Sequence, residues 1–154
     1  MELRKIASFQ VDHRKIGPGI YVSRTDDDIV TYDVRMKKPN AGSYLAIGAL
    51  HTIEHLFATF ARSSELSDRV VYVGPMGCRT GFYLVVRDLD RSEAIDLVVR
   101  SFAFIAAYEG TVPGASEAEC GNYREHDLAG AKAEAATYLK AIAGWTIAEL
   151  RYPD

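Results

Sequence analysis

His51-Thr52-Ile53-Glu54-His55 sits inside an apolar run from Tyr44 to Phe60, and its reading decides both the fold and the chemistry. Between Tyr44 and Ala61 the only charged or imidazole side chains are His51, Glu54 and His55. On a helix, His51 and His55 lie one turn apart on one face, with Glu54 beside both. A helix this apolar is predicted to be buried on most sides. Three ionisable groups on it would be costly to bury without a partner. A metal ion resolves that cost, with two imidazoles as ligands and the carboxylate left to move protons. The order H-x-x-E-H is the inverted zincin motif. Two hydrogen-bonded core histidines are the plainer reading of the same five residues.

Working outward, Ser43 is expected to cap this helix, which should run from about residue 44 to 62. Upstream, residues 6–13 suggest a short extended segment, and Gly17-Pro18-Gly19 a turn. Residues 20–24 and 29–35 read as strands joined by a hairpin loop at Thr25-Asp26-Asp27-Asp28. Val30, Tyr32, Val34 and Met36 alternate with Thr31, Asp33, Arg35 and Lys37, a period of two. Downstream, strands are expected at 69–73 and 82–87, around a glycine-rich loop at 74–81. Asp90, with Glu93 three residues on, forms a capping box for a second long helix. Its core stripe is Ile95, Val98, Val99, Phe102, Ile105 and Ala106. Asp127 caps a last helix with Leu128, Ala131, Ala135, Tyr138, Leu139 and Ile142 on its apolar face. Gly144 stops it, and Trp145 to Tyr152 remains as a short tail. Strands, helix, strand pair and helices in this order give an α+β fold, a mostly antiparallel sheet with helices packed on one face.

A chain of 154 residues with net charge −3 is of one-domain size, and residues 1–154 are read as a single catalytic domain. Mixed charges without a basic stripe argue against nucleic acid as a partner. No apolar run is long enough to cross a bilayer, and the N-terminus lacks an apolar signal core. The expectation is a cytoplasmic protein with no membrane partner. The two cysteines, Cys78 and Cys120, form no C-x-x-C pair. In a reducing compartment they are expected as free thiols.

A catalytic metal site keeps three protein ligands and one open position. His51 and His55 supply two; Cys120, Cys78, Glu119 and Glu125 compete for the third. Cys78 lies between Gly77 and Arg79, and a neighbouring Arg79 cation would favour its thiolate. A small buried hydrophobe is the alternative fate for this side chain.

The chain resembles the S-ribosylhomocysteine lyase (LuxS) family over nearly its whole length. The resemblance is carried by Ser8-Phe-Gln-Val-Asp-His13, Tyr32-Asp-Val-Arg35, Pro39-Asn40, His51-Thr-Ile-Glu-His55-Leu, Pro75-Met-Gly-Cys-Arg-Thr-Gly-Phe-Tyr83, Glu119-Cys-Gly-Asn-Tyr123, His126-Asp-Leu and Gly130-Ala-Lys132. It implies a LuxS/metallopeptidase-like fold, with His51, His55 and Cys120 as ligands to one divalent metal per subunit. Fe2+ is the implied metal, with Zn2+ or Co2+ as substitutes. Cys78 and Glu54 resemble the acid/base pair, and Ser8, His13 and Arg35 the substrate-binding residues. The resemblance also implies a homodimer with its site at the interface. The implied reaction cleaves the thioether of S-ribosylhomocysteine to homocysteine and 4,5-dihydroxy-2,3-pentanedione, precursor of the autoinducer-2 signal. Carbonyl migration along the ribose chain precedes β-elimination of the thiol. Two bases and a Lewis acid suit such proton transfers beside a carbonyl.

Three positions depart from the family pattern. Tyr72 and Gly74 stand where an Asp and a Ser are usual, and Lys38 replaces a Gln before Pro39-Asn40. They leave open a lyase acting on a related sugar thioether. An inverzincin-type metallohydrolase and a non-catalytic metal-binding homologue are the other readings.

Overall fold

The computed structural model describes residues 1–154. Four antiparallel strands, β1 (Gly19–Asp26), β2 (Ile29–Arg35), β3 (Val70–Pro75) and β4 (Gly81–Arg87), form one sheet in the order β1-β2-β4-β3. A single turn α1 (Ala7–Gln10) precedes them. Three longer helices, α2 (Ile47–Ser63), α3 (Arg91–Ala107) and α4 (Leu128–Ala141), pack together on one face.

The period of two in β2 builds this layering. Tyr32 and Val34 are fully buried under the helices, beside Phe82, Leu84 and Val86 of β4. Asp33 and Arg35 alternate with them and point to the opposite face. They pair in register with Tyr83 and Gly81. The helical side is closed by Ile53, Leu56 and Phe57 of α2, Leu97, Val98 and Phe102 of α3, and Ala131, Ala135 and Tyr138 of α4. Phe57 packs edge-on to both Phe82 and Phe102, tying α2 to sheet and to α3. Small residues at 131 and 135 let α4 approach closely. Truncating Phe57 to Ala in such a setting costs about 3–5 kcal/mol.

The expected caps of the last two helices are present. Asp90 and Glu93 form the capping box of α3, and the Asp127 carboxylate accepts the Gly130 N–H at 2.9 Å. The start of α2 differs from expectation. Ala46, not Ser43, is the N-cap, and no side chain caps it. Leu45 is fully buried, and its N–H bonds the Arg79 carbonyl at 2.9 Å, so residues 44–46 are held extended against the 76–80 loop. Residues 7–10 form a helical turn rather than an extended segment, closed by the Phe9 N–H on the Ile6 carbonyl. The hairpin loop is tighter than predicted. Both strands continue to Asp26 and Ile29, and Asp27 adopts the left-handed conformation (φ 54°) that a two-residue turn needs.

The C-terminal tail is a packed element, not a loose end. The Trp145 indole N–H donates to the Ile20 carbonyl at 2.9 Å, Leu150 is buried, and Tyr152 stacks on Tyr21. No helix is long and apolar enough to cross a membrane.

Candidate active site

The core-facing residues of α2 are Ala49, Thr52, Ile53, Leu56, Phe57 and Ala61. His51, Glu54 and His55 fall beside that stripe and are half-buried. The 108–127 segment, which has no regular structure, passes over the two histidines and fixes both rings through its backbone. His51 Nδ1 lies 2.8 Å from the Glu125 carbonyl, and His55 Nδ1 lies 2.7 Å from the Pro113 carbonyl. A carbonyl only accepts, so each Nδ1 carries the proton and each Nε2 is left with its lone pair. The rings cross at 83° with centroids 4.8 Å apart.

Both lone pairs face the same atom. Cys120 Sγ is 3.4 Å from His51 Nε2 and 3.9 Å from His55 Nε2. Around a tetrahedral ion with nitrogen at about 2.0–2.1 Å and sulfur at about 2.3 Å, donor atoms stand about 3.3–3.6 Å apart. The 3.4 Å spacing falls in that range and the 3.9 Å spacing lies just outside it, so a small inward movement of His55 and Cys120 brings the three donors to a divalent cation. Among the competing third donors, the carboxylate of Glu119 binds the Ser116 hydroxyl, and that of Glu125 accepts from Asn122.

Sequence reasoning missed a fourth member. His126 joins His51, His55 and Cys120, so that one donor atom from each lies within 4.8 Å of the others. Its ring stacks on His51, with centroids 3.9 Å apart and planes 21° apart. Burial pushes its pKa down, which favours the neutral ring. The available signal was simple: the chain has only four histidines, and this one stands six residues after Cys120.

The remaining predicted residues gather on the other face of the sheet. Ser8, His13, Arg35 and Cys78 line one recess of about 330 Å³, with Phe9, Met76 and Tyr83 among its walls. Arg35 is buried. It donates to Asp33 at 2.6 Å and to the Thr80 hydroxyl at 2.8 Å. Thr80 in turn lies 3.0 Å from Cys78 Sγ. Tyr152 donates to the same Asp33 oxygen at 2.6 Å, and burial followed by the Asp33 charge pushes its phenol pKa up, keeping it a donor. Asp33 Oδ1 and Arg35 Nε have no protein partner. The cation associated with Cys78 is therefore Arg35, acting through Thr80. Arg79, the expected neighbour, instead reaches the Leu45 carbonyl at 3.2 Å and lies over the Tyr44 ring. His13 is half-buried, with Nδ1 at 2.9 Å from the Val11 carbonyl.

No cavity of the chain is lined by both groups: none that includes Cys78 includes His51, Glu54, His55 or Cys120. Of the divergent positions, Tyr72 is exposed on the edge strand β3, and its ring covers the buried Gly74. A Cβ at residue 74 would collide with the Tyr72 side chain. The two departures thus form one packing unit. Lys38 is exposed and lines none of the cavities.

The S-ribosylhomocysteinase (LuxS) family model matches residues 6–149. The S-ribosylhomocysteine lyase of Borreliella burgdorferi is 45% identical over 157 residues, covering 98% of this chain and 100% of that protein. The proteins of the same name from Phocaeicola vulgatus and Desulfotalea psychrophila are 48% identical over 146 residues and 46% over 160. These alignments cover 91% of this chain and 91% of the first protein, and 99% and 100% for the second. On the match along 6–149 and relatives aligned over their full length, the chain belongs to the S-ribosylhomocysteinase (LuxS) family.

Proposed function

We propose that this chain is a carbon–sulfur lyase that cleaves S-ribosylhomocysteine to homocysteine and 4,5-dihydroxy-2,3-pentanedione, working as a cytoplasmic homodimer with one divalent metal per subunit. The observation that carries the proposal is the pair of Nε2 lone pairs, on His51 and His55, converging on Cys120 Sγ. His51, His55 and Cys120 are the ligands. Two imidazoles and a thiolate suit iron, zinc or cobalt, and Fe2+ is our assignment. The bound cation supplies Lewis acidity, which stabilises negative charge developing on a substrate oxygen.

The protein's own groups move the protons. Glu54, on the same turn of α2 as the ligands, takes and returns protons at the ribose chain. Cys78, as a thiolate, does so from the other side, with Arg35 near it through Thr80. Together they shift the carbonyl along the sugar one carbon at a time, until the sulfur stands β to it and leaves as the homocysteine thiol. Ser8, His13 and Arg35 line the Cys78 recess and hold the substrate there. The bare Arg35 Nε suits a substrate oxygen.

Two groups that share no cavity in one chain make a complete site if Cys78 of one protomer faces the metal of its partner. Phe9, which is 66% exposed beside Ser8, is apolar surface for such an interface. The test is thiol release from S-ribosylhomocysteine by anaerobically purified, ferrous-loaded protein. Rapid release is expected. A folded, metal-loaded dimer that releases no thiol would overturn the substrate assignment and favour a related sugar thioether, with the Tyr72–Gly74 unit as the first difference to revert.

A further inference from the structure

We propose that His126 serves the metal centre as an Nε2–H donor to the Cys120 thiolate and is not a fourth metal ligand. This inference rests on the reading of His51, His55 and Cys120 as ligands. It follows from the direction of one chain of hydrogen bonds and from the orientation of one ring.

The chain of bonds starts at Asp127. Its backbone N–H is shared between the Thr52 hydroxyl oxygen at 2.9 Å and the Gly48 carbonyl at 3.1 Å. Thr52 is fully buried in the middle of α2. Its own O–H must therefore find an acceptor inside the protein. Ser101 and Thr137 bond the carbonyl four residues back in their helices. Thr52 does not; the one other polar atom it meets is His126 Nδ1, at 3.1 Å. The Thr52 hydroxyl thus donates to His126 Nδ1, which must accept, and the ring proton sits on Nε2. This is the opposite tautomer to that of His51 and His55, whose Nδ1 atoms face carbonyls. Three imidazoles meet at one centre, two offering lone pairs and one offering a proton. The His126 Nε2 lies 3.9 Å from Cys120 Sγ.

Ring orientation points the same way. An imidazole ligand aims its lone pair in the ring plane. His51 and His55 cross at 83°, an arrangement in which two lone pairs can meet at one ion. His126 also crosses His55, at 78°, but it lies nearly face to face with His51, at 21° and 3.9 Å. Two stacked planes this far apart disfavour both rings binding one ion in-plane at a metal–nitrogen bond of about 2.0–2.1 Å. As a donor, His126 would add no fourth ligand to a metal held by His51, His55 and Cys120, and a substrate oxygen could reach it. It also withdraws electron density from the thiolate, as outer-shell hydrogen bonds do. Thr52 and Asp127 are then positioning residues for His126.

The experiment reads the tautomers directly, by two-bond 1H–15N correlation of the histidine rings in metal-free and Zn2+-loaded protein. His126 is expected with a protonated Nε2 and bare Nδ1 in both forms. His51 and His55 should show protonated Nδ1, and metal-shifted Nε2 after loading. Thr52→Val should release the His126 preference while the fold persists. A protonated Nδ1 on His126, or a metal-shifted Nε2, would overturn the proposal. Cobalt-loaded protein gives a second reading without substrate. His126→Ala should move the thiolate-to-cobalt charge-transfer band to lower energy with the d–d bands unchanged, and His126→Gln, which keeps an N–H, should restore it. An unmoved charge-transfer band or altered d–d bands would count against the donor role. A failure to release thiol from S-ribosylhomocysteine would sink the substrate assignment and leave these spectra as they are. Failure to bind any metal would sink the ligand reading, with the Nε2–H tautomer still tested in the metal-free form.

Discussion

The histidine cluster beside α2 and the Cys78 recess across the sheet are both polar, partly buried and built from widely separated residues, but they are held in opposite ways. In the cluster, the His51 and His55 rings are fixed by backbone carbonyls of the 108–127 segment and turn their Nε2 atoms toward Cys120. In the recess, an ion pair of Arg35 with Asp33 is buried, 3% and 0% exposed, and is bonded onward to Thr80 and Tyr152. No Lys or Arg side chain bonds into the first assembly; the second is built on one. Nitrogen and sulfur donors gathered in this way suit a metal. A fixed cation beside a thiol suits an anionic base and an electron-rich substrate. The difference shows how one fold can prepare a Lewis acid and a Brønsted base in separate places, for use together.

The sharpest way to break that division is to remove the proton carriers. Cys78→Ala and Glu54→Gln should each cut thiol release by about 10³-fold, within the range for general acid–base groups, while metal content by elemental analysis stays at one per chain. Metal loss in either variant would erase the division between ligands and bases. Mixing the two inactive variants should restore activity if the recess of one protomer serves the metal of its partner. No recovery after subunit exchange would place each site within a single chain.

Arg35→Met tests the recess as a charged structure. Leaving Asp33 buried without its partner should cost about 3–5 kcal/mol in denaturant unfolding. The double variant Asp33→Leu/Arg35→Met should regain part of that loss. Cys120→Ala tests the cluster as a metal site. Affinity measured against a chromophoric chelator should fall by more than about 100-fold, since even an outer-shell partner is worth about 10–100-fold. Thermal stability without metal should barely change.

Asp127→Ala sharpens the comparison at the join between cluster and helix. It removes the α4 cap and should cost about 1 kcal/mol of stability, with metal affinity nearly kept, because the Asp127 N–H that meets Thr52 remains. The smallest effect lies outside both regions. Arg100 holds Glu65 at 2.5 Å on the surface, and that bond lowers the Glu65 pKa from 4.5 to about 2. A depressed carboxylate stabilises the fold above its unfolded pKa and loses that contribution as pH falls through the folded value. Arg100→Gln should therefore weaken the native state slightly at neutral pH and flatten its acid unfolding between about pH 4.5 and 2, with thiol release unchanged.

The elements with a strong repeat were legible from residue order alone. The alternation in β2, the helical stripes of α3 and α4, and the Asp90 and Asp127 caps report local geometry, and local geometry is written in spacing. His51, Glu54 and His55 were legible because one helical turn brings them together. What spacing cannot carry is contact between segments far apart in sequence. The start of α2 was misplaced because Leu45 is claimed by the Arg79 carbonyl, 34 residues on. Adjacency in sequence points to Arg79 as the cation beside Cys78, yet the strand pairing of β2 with β4 delivers Arg35 instead. His126 carries no local signal, because its proximity to His51 depends on how an aperiodic segment folds back over α2. Sequence by itself determined the α+β class, the main helices and the chemistry of the donor set. Tertiary structure decided which thiol meets the imidazoles, which cation stands by the other thiol, and which ring nitrogen carries each proton, because hydrogen-bond direction and ring orientation exist only once distant backbone groups have been brought into contact.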